Sequence, residues 1–230
     1  MGKMFLVRKE LLQHRLFLLA MMAFAVLLPV AVVLIDKYDG LARTVEQRAA
    51  LDLSIALVIS YFAPSNLGYS LMAAERTKRT LLILRMLPLK TSSIIFGKEL
   101  AGGLALLILT AANLLAFLAA FRVWIAPFPF HLSLLPLIAI LLTLFLLLQV
   151  SLWLFLSFEQ KWASQAPFLL ACAIRPVILI YQRYAAALPS TVVTAIPYLA
   201  IILALLLSVV LHRWMVSEFD RQDWAMPTTE

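Results

Sequence analysis

Long apolar runs separated by short polar breaks dominate this chain. A helix needs roughly 20 apolar residues to cross a ~30 Å hydrocarbon core. Six runs meet that length, at about 17–35, 51–73, 100–121, 132–156, 163–182 and 193–214. Each predicts a membrane-spanning helix, and the fifth is the weakest. The first run is longer than the core of a cleavable signal peptide, and no small-residue cleavage site closes it. No internal repeat, low-complexity tract or soluble domain interrupts the pattern. Residues 1–230 therefore read as a single transmembrane domain, an all-α membrane protein.

Composition strengthens this reading. Hydrophobic residues make up 64% of the chain and charged residues 13%, whereas a soluble domain is roughly 45–50% apolar and about 25% charged. A net charge of +7 would suggest nucleic acid in a soluble protein. Here the basic residues sit in short connections beside apolar runs, which marks membrane orientation instead and leaves no nucleic-acid partner expected. With the N-terminus in the cytoplasm, thirteen of the nineteen Lys and Arg residues fall on the inner side. They are Lys3, Arg8, Lys9 and Arg15 before the first run, Arg76, Lys78, Arg79, Arg85, Lys90 and Lys98 between the second and third, then Lys161, Arg213 and Arg221. Lys37, Arg43, Arg48, Arg122 and Arg183 fall outside, and Arg175 lies within a run. Positive residues resist translocation, so both termini are expected in the cytoplasm of a cell inner (plasma) membrane. The single Cys172 has no partner in the chain, so no intrachain disulfide is possible.

The longest inner connection is "ERTKRTLLILRMLPLKTSSIIFGKEL", residues 75–100. Its "KRTLLILRML" favours helix, and Pro88 stops that helix. The apolar side chains need cover, supplied either by the membrane face as a basic interfacial anchor or by a cytoplasmic partner. Glu75-Arg76, Thr80-Leu81, Leu87-Pro88-Leu89-Lys90-Thr91 and Gly97-Lys98 resemble the signature after the second span of type-2 ATP-binding-cassette (ABC) permeases. That signature has an acidic-basic pair, a Gly-Thr-Leu-Glu-like turn, a Leu-Pro-Ile/Leu element and a Gly-Lys. Arg79 stands where the family often has Gly, and Leu82 where it often has an acid.

The resemblance implies a six-span transmembrane half of an ATP-driven exporter. In it residues 75–98 form a coupling helix against a separate nucleotide-binding ATPase, through Glu75, Arg76, Arg79, Thr80, Arg85, Pro88 and Lys90. It further implies a second permease half, identical or paralogous, and a hairpin between the last two spans. The chain itself lacks the G-x-x-x-x-G-K-[ST] loop that cradles phosphates. Its internal Gly-Lys, Gly97-Lys98, is followed by Glu99, with Ser92 at the first glycine position. No cofactor is expected on this chain; ATP and Mg would be used by the partner ATPase.

Other chemistry is sparse. His14, His131 and His212 lie near span ends, too scattered for a metal site, and read as interfacial polar residues. No H-E-x-x-H or G-x-S-x-G motif appears, so catalysis is not expected. Along the second run, Ser54, Tyr61, Ser65, Gly68 and Tyr69 fall largely on one helical face, which suits either helix packing or a substrate path. Asn66 and Asp52 lie on other faces, with Asp52 expected at the outer water boundary, and Pro64 is a candidate kink. Arg175 costs roughly 2.5–3.5 kcal/mol at a bilayer centre. Either it faces the bundle interior, or the fifth helix ends near "IRP", and Pro176, Pro189 and Pro197 favour a broken or re-entrant segment.

At the N-terminus, "MGKMFLVRKELLQHRLF" resembles the interfacial elbow helix with which family members begin, with Met4, Val7 and Leu11 on one face. Leu6 at the position of the required Ser or Thr breaks the myristoylation pattern from Gly2. The C-terminal "RWMVSEFDRQDW" reads as a charged, Trp-flanked anchoring tail. The oily spans suit a lateral path for an amphiphilic or hydrophobic substrate. A membrane scaffold or sensor that recruits a cytoplasmic protein through the same basic loop is the rival reading. A channel or secondary transporter is the third, disfavoured by the few ion-coupling acids.

Overall fold

The computed structural model describes residues 2–39, 44–73, 89–127, 129, 134–157 and 190–221, and every regular element among them is helical. Helix α1 (Gly2–Gln13) leads directly into α2 (Arg15–Tyr38). Helix α3 (Val45–Gly68) opens on a capping box. Thr44 Oγ1 accepts from the Gln47 N–H at 3.3 Å, and Gln47 Oε1 accepts from the Thr44 N–H at 3.2 Å, so two backbone donors are satisfied reciprocally. α3 runs through Pro64 and closes in a π-helical turn over Tyr69–Ala73. Helices α4 (Thr91–Trp124), α5 (Leu134–Ser157) and α6 (Ser190–Arg221) complete the described bundle.

Four segments are long and apolar enough to cross a membrane: Arg15–Tyr38, Thr91–Trp124, Leu137–Ser157 and Tyr198–Arg221. They coincide with the first, third, fourth and sixth expected runs. The second run is helical as α3, which carries more polar residues, Asp52, Ser60, Ser65 and Asn66 among them. The fifth expected run, 163–182, lies outside the described residues.

Helix α4 is the hub, packing against α1, α2, α3, α5 and α6. At one end of the bundle, Leu6, Leu67, Leu71, Ile95, Leu148, Leu152, Met215 and Phe219 belong to one apolar core. At the other, Val33, Ala49, Ala56, Phe117 and Phe121 form a second. Small residues bring the backbones close. A Cβ on Gly68 would stand 2.5 Å from Ser151 Cβ, and one on Gly102 would stand 2.6 Å from Leu148 Cδ2. The outward face of α6, with Leu199, Leu203, Leu206 and Val210, is exposed and apolar.

Four expectations need correction. The third span begins at Thr91 rather than near residue 100, so residues 91–98, expected within the coupling segment, are the first turns of α4. Asp52 is buried rather than at a water boundary, because α3 begins at Val45 and carries it inside the bundle. In α1, Met4 is exposed while Leu6, Val7 and Glu10 are buried, since the helix turns that stripe onto α4. The tail "RWMVSEFDRQDW" continues as helix α6 as far as Arg221 and packs on one side: Met215 and Phe219 are fully buried, while Trp214, 52% exposed, lies on Trp153 with ring centroids 5.0 Å apart.

Candidate functional site

The π-turn that closes α3 and the start of α4 lie at the same end of the bundle. The same end gathers α1, the start of α4, and the C-terminal turns of α5 and α6. A layer of buried charged and polar side chains is built there. Lys98 and Glu99 are adjacent on α4, so their side chains leave the helix about 100° apart. Lys98, 1% exposed, faces α1: its Nζ lies 3.2 Å from Glu10 Oε1 and donates to the Leu71 carbonyl at 2.7 Å. Glu10 also meets Lys9 Nζ at 3.4 Å and His14 Nε2 at 3.8 Å. Ser70 Oγ stands 2.9 Å from His14 Nδ1, which draws the π-turn into the same group.

Glu99, 3% exposed, faces α5 and α6. Its Oε1 accepts from Gln149 Nε2 of α5 at 2.7 Å, and its Oε2 stands 2.6 Å from His212 Nδ1 of α6. Gln149 Nε2 also donates to the Ser208 carbonyl at 3.3 Å. Nearer the end of the bundle, Thr91 Oγ1 donates to Asp220 Oδ1 at 2.7 Å. Two consecutive α4 residues thus tie together α1, the π-turn, α5 and α6.

A buried charge persists only when it is paired and hydrogen-bonded. The Lys98–Leu71 contact has a further geometric effect. It joins the π-turn that precedes residues 74–88 to the helix that follows them.

The residues singled out from sequence divide into three groups. Glu75, Arg76, Arg79, Thr80, Arg85, Pro88 and Arg175 lie outside the described residues. Lys90 is the exposed N-cap of α4, its carbonyl accepting from the Ser93 N–H at 2.8 Å. Of the stripe on α3, Ser54 and Tyr61 lie within the helix but their side chains are outside the described set. Ser65 is half-buried, and Tyr69 is exposed with its ring edge-on to Phe155 at 5.6 Å.

Of the histidines read as interfacial polar residues, His212 Nδ1 lies 2.6 Å from Glu99 Oε2 and His14 Nδ1 lies 2.9 Å from Ser70 Oγ, both within the layer. His131 lies outside the described residues. Glu10, Glu99 and Gln149 were not singled out from sequence. A Lys-Glu pair heading an apolar run and a lone Gln in "LLLQVSL" were the available signals.

The fold and this layer define a multi-pass helical membrane protein with a polar joint at one end. The family model described as "ABC-2 family transporter protein" matches residues 5–188, most of the chain, and the protein belongs to that family. It is a permease of an ABC transporter. No curated protein and no solved structure matches it.

Proposed function

We propose that this permease is the six-span half of an ATP-driven exporter for an amphiphilic or hydrophobic substrate. A second half completes the transporter, and a separate ATPase uses ATP and Mg. In this reading both termini and the 74–90 segment face the cytoplasm of the inner (plasma) membrane. Glu75, Arg76, Arg79, Thr80, Arg85, Pro88 and Lys90 meet the ATPase.

The observation that carries the reading is the pinned base of that segment. A force applied to a floppy linker is lost in its slack. A segment whose stems are joined by Lys98 and Leu71, and locked through Glu10 and Glu99 to three other elements, moves the bundle as a body. Lys98 and Glu99 act here as positioning residues.

The test is purification of the tagged chain from its native membrane, with identification of co-purifying proteins by mass spectrometry. The same measurement is made with residues 75–88 exchanged for a neutral linker. A P-loop ATPase that is present with the natural segment and lost on exchange is the expected result. Recovery alone, or with a partner that lacks a nucleotide site, would put the scaffold reading ahead.

A further inference from the structure

A cleft of about 50 Å³ opens among α2, α3 and α4, lined in part by Met21, Phe24, Ser60, Phe62, Thr110 and Asn113. Its walls are mostly apolar and, among the described residues, carry no ionisable side chain. Ser60, Thr110 and Asn113 are all buried, and Asn113, 3% exposed, has no hydrogen-bond partner for Nδ2 among the described residues. An amide donor left unpaired away from water is costly, so this site calls for an acceptor brought from outside. Phe24 is 54% exposed and Phe62 36%, so the mouth opens sideways, onto the face a bilayer would cover.

Depth narrows the occupant. Thr110 and Asn113 lie about 18–22 Å along α4 from Lys98. If the charged layer sits at the cytoplasmic boundary, as the exporter reading has it, the cleft lies near the bilayer centre. Lipids in register with their neighbours keep their ester groups at the headgroup level. A polar acceptor at this depth therefore belongs to an amphiphile displaced towards the middle of the membrane.

We propose that the α2–α3–α4 cleft binds the uncharged hydroxyl or ester portion of a lipid-like amphiphile in transit, with Asn113 donating to it and Met21, Phe24 and Phe62 holding its chain. The depth argument rests on the exporter reading; the unpaired donor does not. An anionic or cationic group has no counter-charge here, and a pure hydrocarbon leaves Asn113 unsatisfied.

The test uses the full chain in phosphatidylcholine nanodiscs doped in turn with three photoactivatable probes: a diacylglycerol, a long-chain alkane and a phosphatidylcholine. Labelling of peptides containing residues 21–25, 60–66 and 109–113 is measured relative to the outward face of α6. Diacylglycerol is expected to label the cleft about tenfold more than the alkane does, the worth of one well-placed hydrogen bond. Asn113→Leu is close in shape and removes an unpaired donor, so folding is retained, and it should bring labelling to the alkane level. Thr110→Val should lower it by a smaller factor. Equal labelling by the alkane, no effect of Asn113→Leu, or no cleft labelling at all, as when water satisfies Asn113, overturns the proposal. Equal labelling by phosphatidylcholine makes the occupant a resident bilayer lipid and overturns transit. Loss of diacylglycerol labelling in native membranes on adding MgATP and vanadate supports transit. The nanodisc measurement needs no ATPase, so its failure is separable from failure of the exporter reading, which co-purification scores.

Discussion

Replacing Lys98 by methionine keeps the length of the side chain and removes its charge. In the native chain Nζ is 3.2 Å from Glu10 Oε1 and 2.7 Å from the Leu71 carbonyl. Lys98→Met therefore leaves a 1% exposed carboxylate short of its main partner and a carbonyl without that donor. Breaking a buried ion pair from one side costs about 3–5 kcal/mol. Lys9 and His14 also approach Glu10, which puts the expected loss at the lower end, about 3 kcal/mol. For a chain of this size that is a fall in melting temperature of about 6–12 °C, readable by thermal unfolding of the purified protein in mild detergent. The double variant Glu10→Leu/Lys98→Met replaces the pair by apolar side chains of similar volume and should recover most of the stability. It does not restore the Lys98–Leu71 tether. Stability regained while substrate-stimulated ATP hydrolysis stays uncoupled from transport is the outcome the pinned-loop reading requires. A single variant that melts within 1–2 °C of the native protein, on the same scale, would refute the buried-pair argument. A double variant with full coupling would refute the tether.

Glu99→Leu should be tolerated poorly, since it removes the partner of His212 Nδ1 and leaves Gln149 Nε2 only the Ser208 carbonyl, whereas Glu99→Gln keeps an acceptor for one of them. The leucine variant is expected to melt lower than the glutamine variant by the worth of a buried charge-assisted bond, about 1.5–3 kcal/mol. Gly68→Ala forces a Cβ to within 2.5 Å of Ser151 Cβ and should cost about 1–3 kcal/mol by parting α3 from α5. Paired cysteines across that contact would report the separation through a lower cross-linking yield. Thr44→Ala removes the capping box of α3 and should cost about 1 kcal/mol, seen as faster amide exchange over residues 45–48 with the rest of the helix unchanged. Glu75→Ala and Pro88→Ala are expected to lower transport per ATP hydrolysed without reducing membrane insertion, measured as flux and phosphate release on the same vesicles.

The apolar runs made the helices legible, because crossing a hydrocarbon core demands length and oiliness that few other structures need. α1 was also visible, from charges interleaved with apolar residues, but its buried stripe was misassigned to Met4. Nothing local distinguishes Met4 from Leu6; the face is chosen by α4, where Gly97 leaves room for Leu6 against the backbone. The charged layer was illegible for a related reason. Its contacts join residues 88, 50 and 113 positions apart, and no periodicity within one helix encodes such pairings. Counting Lys98 as a loop charge followed from reading each helix alone. Asp52 was misplaced because the helix start at Thr44 was not anticipated, although Thr44 and Gln47 stand at the spacing of a capping box.

The charged layer also sets the order in which the chain becomes complete. Glu10 and Leu71, the partners of Lys98, are synthesised before it, so that lysine is neutralised as α4 emerges. Glu99 must wait for Gln149 and then for His212, 113 positions later. At about 5–20 residues per second, the carboxylate spends on the order of 6–20 seconds at the membrane without its histidine. The closing helix therefore does more than add a span: its arrival brings the last of the two side chains that meet Glu99 among the described residues.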